Sequence, residues 1–332
     1  MLKKWLSAAL KLLISIALIW FLIEKVGVDL TDTRERLLGI DPWMLALGFG
    51  ILTLQVIICV FRWRAVLGAI NTYLSYLTAL RFFMIGSFFN QVLPSSVGGD
   101  AVRIYKSYQE GLPLGRAING VMLERVATVI ALVIVVLLVQ PFFLPRVGEE
   151  ASSWIVPGLI ILALAAVGGL VFLMVLDRLP SSISHLKIVR GLALVAADTR
   201  KVFLTPLSSI KSLSWAALGH VNLTLGIYIL ALGLELEVTW IDCLALLPPV
   251  ILVTTIPISL AGWGVREGAM VWAFALIGVP KEGSLALSVL FGLVTIVISL
   301  PGAVLWLMSG GRKERIPDEI SIPDAVSQSR DL

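Results

Sequence analysis

The sequence predicts an all-α polytopic membrane protein. Of its 332 residues 58% are hydrophobic and only 14% charged, where a soluble domain carries about 25% charged residues. Mean hydropathy is +0.97, and apolar stretches recur from Leu6 to Met308 with no polar block long enough to fold alone. Length alone would allow about two soluble domains, but this much apolar surface cannot be hidden from water in their cores. A single membrane domain is expected over 1–310, followed by a disordered cytoplasmic tail at 311–332, where Pro317, Pro323 and several serines replace the apolar runs.

The elements follow in chain order. Lys3 and Lys4 precede an apolar stretch to Ile23 that lacks a small-residue cleavage site and runs into Glu24-Lys25. An uncleaved first span is expected, with Lys11 snorkelling or facing the bundle. At roughly 20 apolar residues per crossing, complete spans fit at about 5–23, 43–61, 117–143, 154–176, 211–234 and 284–308. Two further apolar stretches, 74–93 and 241–279, are interrupted by Pro and Gly and do not read as simple spans.

Loop charges set the direction, because Lys and Arg are retained on the cytoplasmic side. Arg62, Arg64 and Arg81 in 62–81, the Lys and Arg residues of 177–211, and Arg312, Lys313 and Arg315 mark three cytoplasmic regions. The acidic segment 24–41 and the turn with Glu149 and Glu150 belong outside, so both termini are expected in the cytoplasm. This closes only if each broken stretch is a re-entrant hairpin that returns to its own side. The net charge of +4 is accounted for by these loops, and no nucleic-acid partner is expected. Cys59 and Cys243 lie inside apolar runs without partners at metal spacing, so buried thiols are expected, with no metal or cofactor.

The two broken stretches share a motif. Pro94, Ser96, Gly99, Val102 and Arg103 recur at one constant offset as Pro257, Ser259, Gly262, Val265 and Arg266. With opposite sides of approach, the halves around them, about 43–145 and 211–308, form an inverted-topology repeat, the design of many secondary transporters. Irregular backbone at membrane depth survives only when buried or lining a wet cavity. A Gly-rich turn opening a helix presents N–H donors and a positive dipole end to an anion. Arginine follows one turn later and grips phosphate oxygens bidentately. Two such ends meeting near the midplane would make a phosphate-sized anion site built from Asn90, Pro94, Ser96, Gly98, Gly99, Asp100 and Arg103 and from Pro257, Ser259, Gly262, Arg266 and Glu267. The plainer reading is two kinked helices in which Asp100 and Arg103, at i and i+3, pair with each other.

Glu124-Arg125 falls about ten residues into the span starting near 114, or about 15 Å deep at 1.5 Å per residue. Ionisable groups at that depth face a cavity or a partner. Glu124 either carries a coupling proton, pairs with Arg103, or belongs to a structural ion pair with no transport role, and Glu267 beside Arg266 is open in the same way. Asn90, Gln91, Asn119 and Asn222 either line the cavity or bond neighbouring helices, and His220 is expected to pack.

The strings Phe89-Asn90-Gln91-Val92-Leu93-Pro94-Ser95-Ser96-Val97-Gly98-Gly99-Asp100-Ala101-Val102-Arg103, Glu124-Arg125 and Pro257-Ile258-Ser259-Leu260-Ala261-Gly262-Trp263-Gly264-Val265-Arg266-Glu267 resemble the flippase-like, lysylphosphatidylglycerol synthase transmembrane-domain family, over about 5–310. That resemblance implies an inner-membrane protein of a bacterium or archaeon that moves or handles anionic and polyprenyl lipids. Lysylphosphatidylglycerol synthases carry a soluble aminoacyl-transferase domain after the membrane part, and here about 20 residues follow the last span, so synthase activity is not carried over. The expected function is a flippase for an anionic phospholipid or polyprenyl-phosphate-linked lipid, with no catalytic residue and with a lipid-modifying enzyme as a possible partner. The rival is a membrane-embedded glycosyltransferase using a polyprenyl-phosphate sugar, for which Asp29, Asp32 and Asp41 form the available carboxylate cluster.

Overall fold

A computed structural model describes residues 2–93, 98–178, 187–256, 259 and 261–309. All regular elements among them are helical: α1 (Leu2–Glu24), α2 (Leu30–Leu38), α3 (Pro42–Ala69), α4 (Tyr76–Val92), α5 (Gly98–Gln109), α6 (Leu114–Phe143), α7 (Glu149–Met174), α8 (Lys187–Leu204), α9 (Pro206–Gly233), α10 (Trp240–Thr254), α11 (Val265–Ala275) and α12 (Lys281–Met308), with one 3₁₀ turn, Leu144–Arg146, after α6. Helices α3, α6 with its 3₁₀ turn, α7, α9 and α12 are long and apolar enough to cross a membrane. They coincide with five of the six expected spans, and α1 covers the residues of the sixth.

Each boundary has a local cause. Asp41 caps α3, its carboxylate accepting from Trp43 N (2.7 Å) and Met44 N (3.1 Å), with Pro42 in the first turn where its missing N–H costs nothing. Asp29 caps α2 by accepting from Thr31 N at 2.7 Å. Thr239 and Asp242 cap α10 reciprocally. The broken stretches become helix pairs, with α4 and α5 of 17 and 12 residues and α10 and α11 of 15 and 11. At 1.5 Å per residue none spans the roughly 30 Å hydrocarbon core unaided.

The succession of a 28-residue helix, two short ones and a 30-residue helix in α3–α6 is repeated as 28, 15, 11 and 28 residues in α9–α12. Helices α3 and α9 run antiparallel down the middle. Asp41 N donates to Gly233 O (3.0 Å) at one end, Asn222 Nδ2 donates to Ile51 O (3.0 Å) and Gln55 Oε1 (2.9 Å) midway, and Phe61 stacks on Trp215 at 4.9 Å toward the other end. Small residues allow the approach: a Cβ on Gly226 would lie 2.7 Å from the Leu52 side chain, and one on Gly233 2.9 Å from Met44. This is the small-residue packing that replaces the hydrophobic drive lost in lipid. Around that axis α4 packs on α12 and α10 on α6, so each half's short helix lies against the other half's last long one. Helix α7 has no buried residue, and Leu164, Val167 and Phe172 are more than 60% exposed. Such a surface requires lipid around it.

One boundary departs from expectation. The span expected at 43–61 continues to Ala69, and Arg62, expected in a cytoplasmic loop, is a buried residue of the helix. The stretch Ala65–Ile70 extends the apolar face, with Val66 and Ile70 at 0% exposure, so the helix does not end at its first arginine. Likewise Asp198, inside the stretch 177–211 expected to be a cytoplasmic loop, is fully buried on α8, where it accepts from Asn119 Nδ2 at 2.8 Å and pairs with Arg116.

A buried arginine cluster beside a central cavity

Three helices of the first half converge on a group of charges. Helix α3 supplies Arg62 and Trp63, α5 supplies Asp100 and Arg103, and α6 supplies Glu124 and Arg125. Glu124, 0% exposed, accepts from Arg62 Nε (2.7 Å) and Nη2 and from Arg103 Nη1 (3.1 Å). Asp100 takes the fork of Arg125, Nε to Oδ2 at 2.8 Å and Nη2 to Oδ1 at 2.9 Å, and a longer bond from Arg103 Nη1 at 3.3 Å. Asp100 and Arg103 do pair, as the plainer sequence reading has it, but as one edge of a larger network. Three guanidiniums face two carboxylates, which leaves one positive charge in excess.

Arg103 is held from all sides yet only half satisfied. Its guanidinium carbon lies 4.2 Å from the centroid of the Trp63 ring and 5.0 Å from that of Phe83, positions that favour a cation over each face. Its stem lies on Gly86, where a Cβ would stand 2.8 Å from Cγ. Both donors go out through Nη1, while Nε and Nη2, buried, have no hydrogen-bond partner among the described residues. These two nitrogens share the edge of the guanidinium that Arg125 uses on Asp100 and that Arg146 uses on Asp242, at 2.8 and 3.2 Å. An unmade buried bond costs its full desolvation, and an oxyanion is the natural partner for such a fork.

Backbone contacts set the position of α5. Gly99 N donates to Asn90 Oδ1 at 2.8 Å, and a Cβ on Gly99 would overlap the Gly86 carbonyl. Asn90 therefore orients the helix start. Gly98 fits under Leu93. Pro94 and Ser96 lie outside the described residues.

The second half builds a related but closed arrangement. Ala261, Gly262 and Gly264 all have positive φ (49°, 82° and 87°), turning the chain sharply into α11. Glu267 reaches back to Gly264 N (2.5 Å) and takes Arg266 Nη2 (2.7 Å) and Nε (3.2 Å) on its other oxygen. Ser288 on α12 accepts from Arg266 Nε and donates to Glu267, both at 3.1 Å. Arg266 also sits against aromatic rings, 4.6 Å from Trp263 and 5.6 Å from Phe291, and over Gly292, where a Cβ would overlap it. Ser259 is 2% exposed with its hydroxyl unpartnered among the described residues. Pro257 lies outside them.

Phe83 and Phe291, the rings against Arg103 and Arg266, line one cavity of about 190 Å³ between α3, α4, α9 and α12. Gln55, Cys59, Ser87, Gln91, Thr295 and Ser299 give it a polar lining within an otherwise apolar wall. Sequence reasoning missed Arg62, Trp63 and this lining apart from Gln91. Arg62 could have been found by extending the α3 periodicity through it, while Trp63 and Phe83 carry no signal apart from an apolar face. Asn119, Asn222 and His220 make interhelical bonds, to Asp198, to Ile51 and Gln55, and to the Thr128 carbonyl at 2.9 Å. The carboxylates of the Asp29, Asp32 and Asp41 cluster are occupied structurally: Asp29 and Asp41 as helix caps, Asp32 in an ion pair with Arg36 at 3.0 Å.

Comparison with known proteins agrees with this architecture. The chain is 25% identical over 311 residues to a UPF0104 membrane protein of Methanothermobacter thermautotrophicus, an alignment that covers 83% of this chain and 86% of the relative. The profile of the family described as Lysylphosphatidylglycerol synthase TM region matches residues 8–302. A match over that length, on a multi-pass helical membrane protein, establishes that this chain belongs to the Lysylphosphatidylglycerol synthase TM region family.

Proposed function

We propose that the protein is a lipid transporter of a bacterial or archaeal cytoplasmic membrane, passing the headgroup of an anionic phospholipid or polyprenyl-phosphate-linked lipid through the central cavity while the chains stay in the bilayer. The observation that carries the reading is the free Nε/Nη2 edge of Arg103, buried in a cluster with one uncompensated positive charge. The cavity beside it is walled by the rings that both motif arginines face. The antiparallel α3–α9 pair and the repeated helix lengths support an inverted repeat, with α4–α5 and α10–α11 as re-entrant hairpins and both termini in the cytoplasm. In such a design one half rocks against the other about the axial pair, and the headgroup is handed from the first motif toward the second. A lipid-modifying enzyme acting on the same lipid would be a partner.

The test is lipid scrambling in proteoliposomes with phosphatidylglycerol and a sugar-linked polyprenyl phosphate, comparing wild type with Arg103→Ala and Arg266→Ala. Movement of a phosphate-bearing lipid that Arg103→Ala abolishes, with the variant still folded, is the expected outcome. Absence of movement in wild type, or unchanged movement in both variants, would overturn it.

A further inference from the structure

The charge balance of the cluster narrows the ligand. The ionisable groups facing Arg103 are Arg62 on α3, Asp100 on α5, and Glu124 and Arg125 on α6. His220 on α9 is bonded to the Thr128 carbonyl, and Cys59 on α3 accepts from Gln55 Nε2 at 3.7 Å. Lys106, one helical turn beyond Arg103, lies at a separate cavity of about 160 Å³ with Arg81 and Glu110. Across the central cavity Arg266 is neutralised by Glu267. The site as a whole therefore offers a single unbalanced positive charge and a two-pronged donor edge.

We infer that this site takes a lipid phosphodiester, a group with two terminal oxygens sharing one negative charge, and rejects a phosphomonoester in its doubly charged form. The inference rests on the lipid-transport reading above and adds the substrate class. Two oxygens match the two free nitrogens, and one charge brings the cluster, buried except for the half-exposed Arg125, to neutrality. A second negative charge enters a low-dielectric site where, among the described residues, no further cation faces Arg103, and charge imbalance there is costly. Phosphodiester headgroups of the phosphatidylglycerol type, or a sugar joined to a polyprenyl chain through one phosphate, fit. Phosphatidic acid above its second ionisation does not.

Native mass spectrometry of the full chain in detergent, with phosphatidylglycerol and phosphatidic acid of identical acyl chains, tests it at pH 5 and pH 8.5. A phosphomonoester loses its second proton with a pKa of about 6, so one ligand changes charge while the other does not. Phosphatidylglycerol occupancy should be the same at both pH values, which also controls for titration of the protein. Phosphatidic acid should match it at pH 5 and bind about tenfold or more weakly at pH 8.5. Asp100→Asn, which raises the excess charge by one, should remove that penalty. If wild type binds dianionic phosphatidic acid as well as phosphatidylglycerol, and Arg103→Ala abolishes both, the substrate class is wrong while the site stands. If Arg103→Ala leaves both occupancies unchanged, the transport reading fails with it.

Discussion

Replacing Glu124 by Gln removes one negative charge from a position with no solvent exposure and leaves its shape almost intact. In the native protein that carboxylate takes two bonds from Arg62 and one from Arg103, and Arg62 is itself 6% exposed. A Gln side chain keeps one acceptor for three donors and turns an amide N–H₂ toward a guanidinium, so the excess charge of the cluster rises from one to two. Breaking a buried pair by removing one partner costs about 3–5 kcal/mol. Glu124→Gln belongs at the lower end because an acceptor remains, and Glu124→Ala at the upper end. Combining Glu124→Gln with Arg62→Met restores the original excess charge, and the double variant should recover at least about 1 kcal/mol relative to the sum of the single losses. Unfolding in a mixed detergent–SDS titration, followed by circular dichroism, reads all four proteins. A Glu124→Gln variant within about 1 kcal/mol of wild type would refute the reasoning, since it would mean that water reaches the pair. Lipid movement that survives in this variant but no longer depends on pH would instead identify Glu124 as the coupling group.

Gly226→Leu should separate the axial helices and cost about 1–3 kcal/mol, because even a Cβ there meets Leu52 at 2.7 Å; detergent melting checks it, and an unchanged midpoint rejects the α3–α9 packing. Asn90→Ala should cost about 1 kcal/mol through loss of the bond to Gly99 N, while Gly99→Ala should prevent α5 from seating and abolish Arg103-dependent lipid binding along with stability, since a Cβ would overlap the Gly86 carbonyl; equal effects of the two variants would refute that ordering. At the end of α7 the Arg200 guanidinium beside Asp177 holds its carboxyl below the usual carboxylate range. A carboxyl lowered in the folded state contributes above its unfolded pKa and loses that contribution as pH falls through the folded value, so hydrogen exchange in α8 should quicken in acid below the ordinary carboxylate range, and Arg200→Ala should exchange fast at neutral pH with no such acid step.

Elements that depend on hydrophobic run length are legible in the sequence: the five long helices, and the interruption by Pro and Gly of the stretches 74–93 and 241–279, where the structure has the short helices α4, α5, α10 and α11. The misreading at Arg62 has a physical origin. Charge statistics treat an arginine after the 19-residue stretch 43–61 as a loop marker, but a guanidinium with a carboxylate partner 62 positions away can stay inside the helix, and that partner is invisible to any local window. The first site was half legible for the same reason. Asp100, Arg103 and Glu124-Arg125 stand out as charges in apolar surroundings, whereas Trp63, Phe83 and Gly86, which shape the space around Arg103, look like ordinary membrane residues. Asp242, 1% exposed and paired with Arg146, went unnoticed because its capping role with Thr239 is local while its ion pair is distant.

The repeated motif hides a chemical difference between the halves that follows from where each acid sits. In the second half the acid is the next residue, so Glu267 closes on Arg266 and on the Gly264 N–H in one short loop, and Ser288 completes the set. In the first half the acid three residues earlier, Asp100, is taken by Arg125, and Glu124 is taken mainly by Arg62. Arg103 has to share both through a single nitrogen, and its fork is left open. Two related motifs thus give one neutral site and one positive site, each behind a ring, Phe291 or Phe83, that walls the cavity. If a headgroup moves between them, it leaves a positive site that it neutralises for a neutral one it would make negative, unless Glu267 gives way. The transfer is then uphill in charge unless a proton, or displacement of Glu267 from Arg266, accompanies it. On the proposed transport reading the energetic control lies at Glu267, and Glu267→Gln is the variant in which the two sites become alike in charge.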